Sequence, residues 1–203
     1  MIIGICGNEG SGKTLLGTIL CYKYKKKGYK IISNLESLKI RDYTLNDIPE
    51  IVNNFDRKYI HTNFILFIDE VYKYDLDSRR GFKSENIDNT YFALQLRKFN
   101  INLIWTAQYF MSVDVRVRNV TNYYYYPNLV KKNEIYLLNI AKVRPQDLSI
   151  LSNKTIIIKN YKFFFNLYKT REYIKGGELI GKSINKRESN IKGKRIKRSE
   201  KMA

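Results

Sequence analysis

The sequence predicts an α/β fold: a mainly parallel central sheet flanked by helices, with additional antiparallel strands toward the C-terminus. Three observations carry that prediction. Short apolar runs alternate with stretches of helical periodicity through the first 108 residues, the pattern of buried parallel strands joined by crossover helices. A glycine-rich turn separates the first apolar run from the first helix. Past residue 120 the apolar runs follow one another with only turn residues between them, which suits antiparallel pairing. A chain of 203 residues is long enough to bury a core of this kind as one domain.

Taken in order, MIIGIC is a short buried strand, and the helix after the turn runs from about Lys13 to Lys27, where Gly28 ends it. YKIISN (29–34) is a second strand. Residues 35–60 have weak periodicity, although TLNDIPEIVNNF fits a short helix with Asn46 or Asp47 near its cap. FILFIDE (64–70) is a buried strand closed by two acids, and the polar YDLDSRRGFKSEN after it reads as a loop. NIDNTYFALQLRKF (86–99) fits an amphipathic helix, and INLIWTAQ (101–108) is another buried strand ending in polar residues. TNYYYYPNL, EIYLLNI and KTIIIKNYKFFFNLY read as strands, and within YYYY alternate rings should face opposite sides of the sheet. The boundaries that follow are a domain over 1–180 and a basic tail over 181–203 without apolar periodicity, expected to be disordered.

Residues 7–14, GNEGSGKT, satisfy all fixed positions of G-x-x-x-x-G-K-[ST] between a strand and a helix. Such a loop curls its backbone so that successive N–H groups, from Gly7, Asn8, Glu9, Gly10, Ser11 and Gly12 on to Leu15, face phosphate oxygens, helped by the positive end of the helix. Lys13 is placed to reach the β and γ phosphates of a nucleotide, and the Thr14 hydroxyl to ligate Mg²⁺. The metal needs a second acid, and FILFIDE delivers Asp69 at a strand end beside the loop. Glu70, next to it, is positioned to polarise a water for attack on the γ-phosphate. A kinase of this class has no use for such a base, because its nucleophile is a substrate, so the acid pair points to hydrolysis. Gln108, at the end of the next buried strand, is an amide able to contact the γ-phosphate or the attacking water.

Composition sets further bounds. Thirty-seven Lys/Arg against 19 Asp/Glu give a net charge of +18, a surplus that implies a polyanionic partner. From Lys182 onward nine basic residues face two Glu, so the tail holds +7 and the body +11. Two cysteines are too few for a disulfide framework, and with one histidine a structural zinc site is not expected; buried free thiols are. The longest apolar runs fall well short of the roughly 20 residues that span a bilayer, so no integral membrane segment is expected, and no signal peptide opens the chain.

The order of these parts resembles the FtsK–HerA superfamily of DNA-pumping ATPases, and within it the compact viral genome-packaging type. The resemblance rests on residues 7–14, on FIDE at 67–70 and on RKFNINLIWTAQ at 97–108. The last unit is similar to the superfamily's Arg, often Lys, then an apolar strand ending in Gln. Asn100 stands where a Gly is usual, a departure that a tight turn tolerates because Asn accepts the left-handed conformation. LYKTREYI (167–174) is similar to a Tyr-Asp-Thr element of such domains, with Lys169 in place of the Asp. WTAQYFMSVDVRVRNVTNYYYY (105–126) also resembles the Zot-like branch, which serves assembly and export of filamentous phages. Across residues 1–130 the resemblance implies a RecA-like P-loop NTPase fold, ATP and Mg²⁺ as cofactors, and a hexameric or pentameric ring with ATP between subunits. It implies an arginine finger in trans, with Arg97 the first choice and Arg79, Arg80, Arg116 and Arg118 as alternatives. It implies double-stranded DNA gripped by its backbone, for which Arg79, Arg80 and Lys83 are candidates, and work in the host cytoplasm against capsid vertex proteins.

Overall fold

A computed structural model describes residues 1–73, 95–132, 135–170 and 172. Strand β1 (Ile2–Cys6) enters the core and leads through the glycine-rich loop into helix α1 (Lys13–Lys25). β2 (Lys30–Ser33) follows, then α2 (Ile48–Asn53) and β3 (Phe64–Ile68). β4 (Ile101–Ala107) and the short α3 (Val115–Val120) lead to three long strands, β5 (Tyr123–Lys132), β6 (Ile135–Val143) and β7 (Ile150–Ile158). The one-turn helix α4 (Tyr161–Phe165) comes last among the described elements.

These seven strands form one sheet in the order β2-β3-β4-β1-β5-β6-β7. The first five are parallel, and β6 and β7 are added antiparallel at the β5 side. β4 lies between β1 and β3, with Ile5 opposite Thr106 and Ile68 opposite Trp105. The carboxyl ends of three strands distant in sequence therefore emerge side by side. β3 is buried at every residue because both its faces are covered, the reason its sequence is a continuous apolar run.

Local chemistry sets the element ends. Gly28 takes φ 87° just past α1, which stops the helix as its sequence implied. Asn100 takes φ 53°, the left-handed turn expected where a glycine is usual. Thr44 and Asp47 form a reciprocal capping box, and Pro49 sits in the first turn of α2. Pro127 lies past Tyr125, the last β5 residue paired with β1, so its missing N–H leaves no β1 acceptor unpaired.

Two expectations need correction or limits. KTIIIKNYKFFFNLY is not one strand: β7 starts earlier, at Ile150, and the FFF segment is helix α4. One helical turn lets Phe163 and Phe164 meet Tyr22 of α1 while Tyr161 and Phe165 meet Tyr136 of β6, contacts that an alternating strand would split between faces. Of the helix expected over 86–99, only its end lies within the described residues, where Leu96–Phe99 is a 3-10 turn. Cys6 and Cys21 are both buried and unpaired, and burial pushes the Cys6 thiol up to about 12. The YYYY run alternates as expected: Tyr124 is buried against Trp105 and Phe110, while Tyr125 sits on the α1 side. No helix among the described residues is long and apolar enough to cross a membrane.

Candidate functional site

The loop between β1 and α1 is shaped to receive an anion. Gly12 caps α1 with φ 92°, and a Cβ there would stand 3.1 Å from Leu138 and 3.2 Å from Leu129, so backbone and space both call for glycine. No side chain caps the amino end of α1 and no acid occupies its first turn, which leaves its N–H groups without a competing partner. The Ser11 hydroxyl is buried and makes no hydrogen bond in the protein. The Lys13 ammonium donates to the Asn8 carbonyl at 2.9 Å, so it folds back over the loop. Burial lowers its pKa, against the opposing pull of Asp69 and Glu70. An orphaned buried hydroxyl, an uncapped helix end and a folded-back lysine together fit a bound polyphosphate.

Asp69 leaves the end of β3 almost fully buried. The Thr14 hydroxyl, 55 residues away in sequence, donates to its carboxylate at 3.0 Å. Thr106, two residues before Gln108, donates to the same carboxylate at 2.7 Å and accepts from the Glu70 N–H at 2.9 Å. Asn34, just past β2, pairs with the Asp69 backbone in both directions, donating to its carbonyl at 2.8 Å and accepting from its N–H at 2.9 Å. Burial raises the Asp69 pKa to about 6, and the two hydroxyl donors only partly offset it. A carboxylate and a hydroxyl presented together form a hard-oxygen pair suited to Mg²⁺.

Glu70 sits in the left-handed region at φ 53°, a conformation that a non-glycine residue keeps only when its surroundings hold it there. Its N–H is fixed by Thr106, and its carboxylate is ion-paired with Lys73. Gln108 follows β4 and lines an open cleft of about 740 Å³ together with Gly7, Asn8, Glu9, Gly10 and Ser11. Tyr109 and Phe110 line it as well, as do Tyr126, Pro127 and Asn128 at the point where β5 runs beyond β1. The cleft thus borders the phosphate loop on one side and the antiparallel strands on the other.

The remaining candidates lie elsewhere. Arg97 is in the turn before β4, at the opposite end of that strand from Gln108. Seven residues at about 3.3 Å each put it roughly 20 Å from the phosphate loop of its own chain. Arg116 is ion-paired to Asp114, the residue that caps α3. Arg118 donates to the Val113 carbonyl at 3.0 Å and lies 4.8 Å over the Phe110 ring. Arg79, Arg80, Lys83 and the tail fall outside the described residues. Tyr168 is buried, with its pKa raised to about 12 by burial first and the Asp69 charge second. Its segment returns to the loop after β2, where the Lys39 N–H donates to the Leu167 carbonyl and the Lys169 N–H to the Ser37 hydroxyl, each at 2.9 Å.

Sequence reasoning missed Asn34, Thr106 and Lys73. Thr106 had a legible signal, a hydroxyl inside an otherwise apolar strand two residues before Gln108. Asn34 had a weaker one, a polar residue closing the strand YKIISN.

No family model and no curated protein matches this chain. Solved structures do share its fold. The N-terminal domain of zonular occludens toxin from Neisseria meningitidis superposes with a TM-score of 0.54 at 20% identity, over 83% of this chain and 98% of that one. A second solved structure, itself an ATPase domain, gives 0.52 at 10% identity, over 79% of this chain and 82% of that one. The genome packaging NTPase B204 from Sulfolobus turreted icosahedral virus 2, in complex with ATP-gammaS, gives 0.49 at 11% identity, over 76% and 95%. The first two show that this chain has a RecA-like P-loop NTPase fold. At these identities the likeness extends to fold alone.

Proposed function

We propose that this chain is an ATP-hydrolysing motor that translocates double-stranded DNA and packages a viral genome into a preformed capsid. The observation that carries the hydrolytic part is the convergence of Thr14, Asp69 and Glu70 on the Thr106 end of β4. The loop N–H groups, the Ser11 hydroxyl and Lys13 hold the phosphates, with Lys13 exchanging the Asn8 carbonyl for a phosphate oxygen. Thr14 and Asp69 would hold Mg²⁺, which would offset negative charge on the outer phosphates. Glu70 takes the proton from a water that attacks the γ-phosphorus in line. The bond from that phosphorus to its bridging oxygen breaks, and ADP keeps the electron pair. Glu70 has to leave Lys73 to do this, so the ion pair holds the base in a resting position. Gln108 directly follows β4, which lies between β1 of the phosphate loop and β3 of the acid pair, and serves there to relay loss of the γ-phosphate.

Arg97 is too far from its own site to act there, and serves as the finger only in a neighbour's site within a hexameric or pentameric ring. Net charge supports DNA as the cargo: a surplus of +18 favours backbone contacts that ignore sequence, with Arg79, Arg80 and Lys83 as the gripping residues. The basic tail then meets DNA or capsid vertex proteins in the host cytoplasm. Steady-state ATP hydrolysis with and without linear double-stranded DNA of mixed sequence tests the cargo. Stimulation that falls as salt rises is expected.

A second reading, a Zot-like ATPase acting on virion protein or membrane components, is favoured by residues 105–126 and by the fold shared with the zonular occludens toxin domain. Hydrolysis indifferent to DNA would select it.

A further inference from the structure

The antiparallel extension β5–β7 has two faces of opposite character. One faces α1: Leu129 and Leu138 crowd Gly12, and Tyr125, Ile140, Lys142, Ser152, Lys154 and Ile156 line a cleft with Leu16, Ile19 and Lys23 of the helix. Strand alternation places Lys131 on that face too, so the α1 side carries the lysines. The other face holds the alternate residues. Val130, Leu137 and Ile157 stand opposite one another across the three strands. Asn128, Asn139 and Thr155 form the next row, with the Thr155 hydroxyl donating to Asn139 at 2.7 Å. From Tyr126 to Lys132 on β5, and across to Leu151 and Ile157 on β7, this face has among the described residues one lysine, Lys132 at its outer end, and no acid.

Apolar side chains on it are open to solvent: Ile157 is 56% exposed, Ile135 50%, and Val130 and Leu151 39% each. Exposed aliphatic rows on neighbouring strands mark a surface that another protein covers. The charge of the whole molecule selects the occupant. DNA or an acidic protein would be drawn to the lysine-bearing side, not to a neutral one. Two copies of a chain at +18 repel wherever their lysines approach, and can meet at low cost only where the charge is absent. Tyr126 and Asn128, at the near end of the same face, line the candidate nucleotide cleft.

We infer that the face of β5–β7 turned away from α1, which carries a single lysine at its outer end, seats a second copy of this chain, against the flank of the nucleotide cleft. The inference goes beyond a ring as such, because it assigns the contact to this surface, and it needs no hydrolysis.

Analytical ultracentrifugation of the full chain across a concentration series, with and without ATPγS, tests it. Wild type should show concentration-dependent multiples of the monomer mass. Ile157→Lys and Val130→Lys should each weaken association by about ten-fold or more, roughly 1.4 kcal/mol. Ser152→Lys, on the lysine-bearing face of the same extension, should leave association unchanged. Circular dichroism and unfolding midpoints confirm that these surface variants are folded. If both face variants assemble like wild type, the assignment is overturned while a ring through another surface survives. A wild-type chain that stays monomeric throughout gives this face to a different protein and overturns both.

Discussion

Thr106→Val removes one hydroxyl from the middle of the acid pair while keeping the shape of the side chain. Two hydrogen bonds go with it, one to the Asp69 carboxylate at 2.7 Å and one from the Glu70 N–H at 2.9 Å, at a residue with no exposure. A hydrogen bond to a charged group contributes about 1.5–3 kcal/mol, and an orphaned buried N–H costs about 1–3 kcal/mol. The variant should therefore be about 3–5 kcal/mol less stable at pH 7.5, without metal or nucleotide.

The pH dependence tests the cause. Asp69 has its pKa raised by burial from 3.8 to about 6, so the folded chain keeps a proton that the unfolded chain has lost in between. Its contribution to stability is present below pH 4 and is lost as pH rises through about 6, amounting to about 3 kcal/mol. At pH 5 the acid is mostly neutral in the folded protein, and the bond from Thr106 falls to the worth of an uncharged one, about 1 kcal/mol. Urea unfolding of both proteins at pH 5 and pH 7.5 should give a destabilisation smaller at pH 5 by about 1–2 kcal/mol. Equal losses at both pH values, or a loss under about 1 kcal/mol at each, would refute the role given to this hydroxyl.

Three further outcomes are expected. Gly17→Ala should destabilise by about 1–3 kcal/mol instead of gaining the usual helix propensity of about 1 kcal/mol, because the new Cβ would collide with the Phe67 ring; urea midpoints give the sign. Binding of Mg²⁺–ATP should release close to one proton near pH 5 and almost none at pH 8, since the metal favours an ionised Asp69; calorimetry in buffers of different ionisation enthalpy counts the protons. Arg97→Ala should keep nucleotide affinity and lose hydrolysis by about 10³-fold, and doping it into wild type should depress activity more than its share of the mixture.

Much of this fold was legible because its signals are local. FILFI is a continuous apolar run and INLIW one broken only by Asn102, since both faces of each strand are covered, and Gly28 and Asn100 mark turns that need positive φ. The phosphate loop is equally local, eight residues whose spacing is set by the backbone curl. What escaped depends on register. That Thr106 meets both Asp69 and Glu70 follows from β4 lying beside β3, and that Asn34 clamps the Asp69 backbone follows from β2 lying on its other side. Neither pairing is written in the neighbours of those residues. The FFF segment misled for a similar reason: three aromatic residues suit a strand, and tertiary contacts with Tyr22 and Tyr136 decide for a helical turn.

The proposed hydrolysis depends on Glu70 as the base that activates water. The most direct test compares Glu70→Gln with wild type, measuring binding of a fluorescent ATP analogue and single-turnover hydrolysis in the presence of Mg²⁺ and DNA. Affinity should hold within about three-fold while hydrolysis falls by about 10²–10⁴-fold. Hydrolysis retained within a few-fold of wild type would contradict the account and move the base elsewhere in the site.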